Sequence, residues 1–223
     1  MTEDWKVALL AKEGKPGVPE VSELLEQLFG DVDFFLGKLG DEYPEALLND
    51  SYDMVVSWLS PWIVPAKTLS NTKQFNLNFH PAPPEYPGIG CFNFALYDEV
   101  EEYGVTGHVM EPRVDTGVIV GVSRFPVTEG DTVLSLSIKS YDAMLALFNQ
   151  VLRQIAETGA LPETDEKWTR APFKRTELEA LCVLDMEMSE SEIHRRVRAT
   201  TYPGMPGAYF EIGGMKFEYN PDR

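Results

Sequence analysis

The sequence predicts an α/β fold, and three observations carry that expectation. Short apolar runs such as WKVALLA (5–11) and DMVVSWL (53–59) read as buried strands. Other segments place apolar residues at helical spacing: Val21, Leu24, Leu25 and Leu28, and later Leu134, Ile138, Met144, Leu147, Val151 and Ile155. A chain of 223 residues is long enough for one such domain, with a small appendage, to bury a sizeable core. Residues 1–160 are assigned to that core, and residues 161–223 to a connector followed by a short helix and β-hairpin.

Taken in order, strand 5–11 is followed by the loop KEGKPGVPE and a helix near 19–29, then a strand at VDFFLG and a short helix at 43–49. The strand 53–59 ends in Ser60-Pro61. Ligands of open α/β sheets collect outside the carboxyl ends of strands, so the segment 57–65 is well placed to border one. The stretch CFNFALYDEVEEY (91–103) reads as helical, 104–121 as strand, loop and strand, and 117–127 as β-rich. A long helix then fills 131–158 and ends at Gly159 and Pro162. The run 163–182 is a polar connector whose basic cluster, Arg170, Lys174 and Arg175, reads as a solvated linker face. Ser189 followed three residues later by Glu192 predicts a capping box opening a helix over 189–200. Gly213-Gly214 forms the turn of a hairpin between 208–212 and 215–219.

Composition excludes several function classes. There are 19 Lys and Arg against 36 Asp and Glu, a formal net charge of −17. Binding to a nucleic-acid backbone rests on cations that neutralise phosphates, so no nucleic-acid partner is expected. No run reaches the roughly 18 apolar residues of a membrane span. Two cysteines make no disulfide framework, and without a signal peptide they read as reduced thiols of a cytoplasmic protein. The three histidines, His80, His108 and His194, lack metal-site spacing, so no metal is expected. No GxSxG elbow is present, and Cys91 reads as a packing thiol.

The stretch FNLNFHPAPPEYPGIG (75–90) is the most informative. Side chains alternate along a strand, so Asn78 and His80 share one face while Leu77 and Phe79 share the other. The prolines and glycines that follow fix a rigid rim. By itself a same-face Asn and His is more often a hydrogen-bonded structural pair than a functional one. The second informative segment is GVTGHVMEPRVDTGVIVG (104–121), with Asp115 at the end of its loop.

In combination, Asn-x-His-Pro, the Tyr-x-Gly turn, Gly-Val-Thr-x-His and Asp-Thr-Gly resemble the N10-formyltetrahydrofolate-dependent formyltransferases, most closely those acting on sugars, which are related to methionyl-tRNA formyltransferase. The resemblance implies a Rossmann-like core with a mixed, mainly parallel sheet, N10-formyltetrahydrofolate as co-substrate, and a catalytic trio of Asn78, His80 and Asp115. It implies folate contacts at Trp62, Ile63 and Val64, in a segment similar to the pterin-holding loop, and at His108, Glu111 and Val114 near the loop that closes over the pterin. Tyr86, Gly88 and Lys12 are the acceptor-facing candidates. Lys12 competes with the commoner reading of a solvated loop lysine, and Trp58 with that of a packed core indole.

Formyl transfer needs an uncharged amine, a donor aimed at the developing oxyanion, and a place for the amine proton. Asn78 supplies amide N–H groups of the kind that hold an oxyanion. His80 gains and loses a proton near neutral pH. Asp115 would orient His80 and accept the proton. The acceptor that the resemblance implies is a small primary amine, the amino group of a nucleotide-linked amino sugar. A formyltetrahydrofolate hydrolase, a transferase for a different amine and a binding module that kept the fold are the alternatives. A homodimer through the C-terminal hairpin or the 131–158 helix is a further expectation.

Overall fold

The structure, a computed structural model, describes residue 2 and residues 4–220. Strand β1 (Lys6–Lys12) leads through helix α1 (Val18–Phe29) to β2 (Asp31–Gly37). After the short α2 (Ala46–Asn49) come β3 (Met54–Trp58), α3 (Ala66–Asn71) and β4 (Phe75–His80). Helix α4 (Cys91–Tyr97) precedes β5 (Glu102–Val109), β6 (Ile119–Pro126) and the long α5 (Val133–Thr158). The remainder holds α6 (Arg175–Cys182), β7 (Val183–Leu184), α7 (Glu190–Thr200), β8 (Tyr209–Ile212) and β9 (Met215–Glu218).

Six strands form one sheet in the order β2-β1-β3-β4-β5-β6. The first four are parallel, and β5 and β6 run antiparallel, which gives the expected mixed, mainly parallel sheet. β1 and β3 are covered on both faces, which explains why they read as unbroken apolar runs. One face packs on α1 and α5, where Trp58, Phe79 and Phe148 meet edge-on and tilted at centroid distances of 4.8 to 6.3 Å. Trp58 is fully buried and its indole N–H donates to the Pro16 carbonyl over 2.9 Å, so it is a core residue. The opposite face packs Leu10, Val55, Leu47 and Tyr52. A third cluster joins α4 and Tyr103 to Phe173, Leu181 and Ala199, and so fastens the C-terminal part to the main body.

Two local expectations are corrected and two are extended. The helix read over 91–103 stops at Tyr97, because the chain reverses at Glu99, whose φ is 54°, and Tyr103 then enters β5 fully buried. The connector is not structureless: it carries α6, and Arg170 stacks on Phe173 with its guanidinium carbon 3.1 Å from the ring centroid. The capping box at Ser189 is only half formed. Ser189 accepts from the Glu192 N–H, while the Glu192 carboxylate is taken by Tyr97, Arg195 and Arg196. The hairpin does turn at Gly213-Gly214, yet it pairs with β7 as a three-stranded sheet. Helix α3 carries no strong periodic signal in six residues and was not expected. Among the described residues no helix is long and apolar enough to cross a membrane.

Candidate active site

A cleft of about 390 Å³ opens at the carboxyl ends of β3 and β4. Register builds its floor. Asn78 on β4 lies directly opposite His108 on β5, and His80 opposite Thr106. The β5–β6 pairing slips between Gly107 and His108, which turns the end of β5 toward the loop 110–118. At the end of that loop Asp115 adopts φ 48°, a left-handed conformation tolerated by Asp better than by most residues.

Asp115 stands between the two imidazoles. Its Oδ2 is 3.5 Å from His80 Nδ1 and its Oδ1 is 3.4 Å from His108 Nε2. The Gly88 N–H donates to Oδ2 over 2.8 Å. Gly88 has φ 89°, and a Cβ there would sit 2.5 Å from the Phe173 carbonyl oxygen, so the close approach and the conformation both require glycine. Burial opposes the charged form of Asp115, but the facing imidazoles of His80 and His108 and the Gly88 N–H outweigh it, holding the carboxyl well below the usual range.

Tautomers follow from what each ring nitrogen meets. His108 Nδ1 is 2.8 Å from the Val109 carbonyl, which can only accept, so Nδ1 carries the hydrogen. In the neutral ring Nε2 then accepts from the Asn78 amide, 3.0 Å away. That bond uses one Asn78 N–H, and no other side-chain bond of Asn78 is present among the described residues. His80 Nε2 lies 3.0 Å from the Tyr86 carbonyl and donates to it, so its basic nitrogen is Nδ1, the one that faces Asp115. His80 is thereby set to take up a proton beside a carboxylate.

Asn78, His80, His108 and Asp115 all line the cleft with Trp62, Ile63, Val64, Glu111, Val114 and Gly88. Val64 is buried, while Ile63, Ile89 and Val114 are 74%, 41% and 48% exposed at the cleft mouth. Such apolar side chains around a cleft with a polar end suit a flat, partly apolar ligand. The Trp62 indole N–H donates to the Asp41 carbonyl over 3.0 Å, which fixes the loop from below.

Two acceptor-facing expectations do not reach the cleft. The Tyr86 hydroxyl donates to Asp98 over 2.9 Å and its ring stacks on Phe173, so only its backbone carbonyl serves the site. Lys12, at the end of β1, is not among the cleft residues. Ser57 and Arg113 line the cleft from the two segments expected to border a ligand, while the residues missed in the sequence are Met110 in the cleft wall and Trp168, which packs against both imidazoles. A lone Trp in an otherwise polar connector was the available signal for the last. Burial pushes the Cys91 thiol up to about 11, so it stays protonated at neutral pH, as a packing thiol does.

Residues 40–152 match the Formyl transferase family. A GDP-perosamine N-formyltransferase from Brucella melitensis is 30% identical over 179 residues, covering 79% of this chain and 68% of the relative. The fold is similar to that of a sugar N-formyltransferase from a Shewanella species, with TM-score 0.78, 19% identity and 96% of both chains covered. It is similar to a 4-N formyltransferase from Francisella tularensis, with TM-score 0.77, 19% identity and 97% of both chains covered. An N-formyltransferase from Helicobacter canadensis, in complex with folinic acid and dTDP-3-aminofucose, has TM-score 0.72 at 18% identity, covering 95% of this chain and 86% of its own.

Proposed function

Because this chain belongs to the formyl transferase family, we propose that it moves the formyl group of N10-formyltetrahydrofolate to the amino group of a nucleotide-linked amino sugar. The co-substrate supplies an activated formyl carbon. The observation that carries the reading is the position of Asp115 between His80 and His108, with Asn78 bonded to His108, at the polar end of a cleft whose mouth exposes Ile63, Ile89 and Val114. The amine acceptor is the chemistry named for its relatives, GDP-perosamine in one and dTDP-3-aminofucose in another.

Each residue has a task that its surroundings support. The Asn78 N–H not used by His108 donates to the oxygen of the formyl group as that oxygen gains negative charge. As the amine nitrogen bonds to the formyl carbon, its proton passes to His80 Nδ1, where the Asp115 carboxylate balances the new charge. The bond from the formyl carbon to the folate nitrogen then breaks, and that nitrogen takes the proton from His80 Nδ1, which returns the imidazole to its neutral form. Because its Nε2–H is committed to the Tyr86 carbonyl, His80 acts through Nδ1 alone. Trp62, Ile63, Val64, Glu111 and Val114 form the wall assigned to the pterin, and Gly88 borders the acceptor.

The reading extends to the whole molecule. Residues 1–160 form the catalytic unit, and 161–223 the connector and appendage. The exposed Ile212, Met215 and Phe217 of the hairpin are the surface assigned to a homodimer. The two free cysteines suit a reducing cytoplasm.

The test is release of tetrahydrofolate from N10-formyltetrahydrofolate with a panel of nucleotide amino sugars. Release that requires one of those amines supports the reading. Release without any amine identifies a hydrolase, and no release with any amine overturns the enzyme reading.

A further inference from the structure

Trp168 comes from the connector between α5 and α6, yet three parts of the candidate site meet at its indole. The ring lies edge-on to His108, with centroids 5.1 Å apart and planes at 82°, and to His80 at 6.2 Å and 65°. Its N–H donates to the Gly117 carbonyl over 2.8 Å, two residues beyond Asp115 in its left-handed turn. Trp168 is half-buried and is not a cleft residue, so it stands behind the polar groups rather than among those a ligand meets.

The connector that carries Trp168 is fastened on both sides. The Thr169 N–H donates to the Pro84 carbonyl over 3.3 Å, and the Phe173 N–H to the Pro87 carbonyl over 2.9 Å. Arg124 bridges Glu85 of the proline loop and Glu166 of the connector. The indole is therefore held in place by backbone bonds and an ion pair network that do not involve the imidazoles.

Each imidazole meets a backbone carbonyl at one nitrogen and Asp115 or Asn78 at the other, contacts that leave the ring free to rotate about the axis joining them. A flat aromatic packed against the ring removes the freedom, and it keeps water from competing for the N–H groups. We infer that Trp168 is the positioning residue of this site, fixing the planes of His80 and His108 and the turn that carries Asp115 without touching either substrate. As a statement about catalysis this rests on the formyl-transfer reading; as a statement about two imidazoles it does not.

The test compares wild type with Trp168→Phe and Trp168→Ala, each scaled to its folded fraction by circular dichroism. The chain has three histidines, and His194 on α7 serves as an internal control. In Trp168→Ala the imidazole nitrogen resonances of His80 and His108 shift, while those of His194 do not. The same variant loses kcat by on the order of 10- to 100-fold with KM for both substrates changed by less than about threefold, the mark of lost positioning. Trp168→Phe recovers part of the loss. Unmoved His80 and His108 resonances, or an activity that falls only with the folded fraction, overturn the inference. A wild type inactive on every amine overturns the formyl-transfer reading, and the resonances still decide the role of Trp168.

Discussion

The Asn78 amide nitrogen lies 3.0 Å from His108 Nε2, directly across the β4–β5 ladder. His108 therefore aims Asn78, and the two act as one unit. Asn78→Ala is expected to lower kcat by about 10² to 10³, the range for loss of an oxyanion donor. His108→Ala lowers it through the same group, so the double variant is little worse than Asn78→Ala alone. Steady-state kinetics of the three variants check this, and additive losses would contradict it.

Gly88 cannot be replaced without cost. Its φ of 89° and the 2.5 Å approach of a built Cβ to the Phe173 carbonyl oxygen predict that Gly88→Ala destabilises the fold by about 2–4 kcal/mol. It also displaces the N–H that holds Asp115, so activity falls further than stability alone explains. Urea denaturation and kcat on the same preparation measure both effects.

Tyr86→Phe removes the bond to Asp98 and is expected to cost roughly 0.5–1.5 kcal/mol while leaving KM for both substrates unchanged. Lys12→Ala should leave KM within about twofold, because Lys12 lies outside the cleft. A KM raised tenfold in either variant would return that side chain to the acceptor site.

Asp115 and Asp131 are two of the three carboxylates, with Glu192, that are held below their usual range and set the acid limit. Burial opposes the charge on Asp115 and Asp131, but His80 and His108 outweigh it at the first, and Lys139, the Thr128 N–H and Ser135 at the second. Both folded pKa values therefore lie below the unfolded value near about 3.9. Each group contributes stability that is fully present above that value and is lost as pH falls through the folded one. Chemical denaturation should show stability declining below about pH 4, and declining less steeply in Asp131→Asn.

The sheet and its order of elements were legible because β1 and β3 are buried on both faces and α1 and α5 carry long periodic stripes. Asn78 and His80 were legible as a same-face pair because strand alternation is strict. What period and propensity do not carry is a contact made by tertiary approach. The commitment of Tyr86 to Asp98, of Glu192 to Arg195 and Arg196, and the arrival of Trp168 behind the histidines all depend on side chains distant in sequence. The end of α4 at Tyr97 was missed because Asp98 to Glu101 contain no glycine or proline, and the reversal rests on a non-glycine residue at positive φ.

The most direct test of the central claim follows the formyl carbon itself. With N10-formyltetrahydrofolate labelled at that carbon and a nucleotide amino sugar, wild type should produce a labelled formamide on the sugar. Asp115→Asn, equally folded, should produce it on the order of 100-fold more slowly. Equal rates from the two proteins would contradict the account.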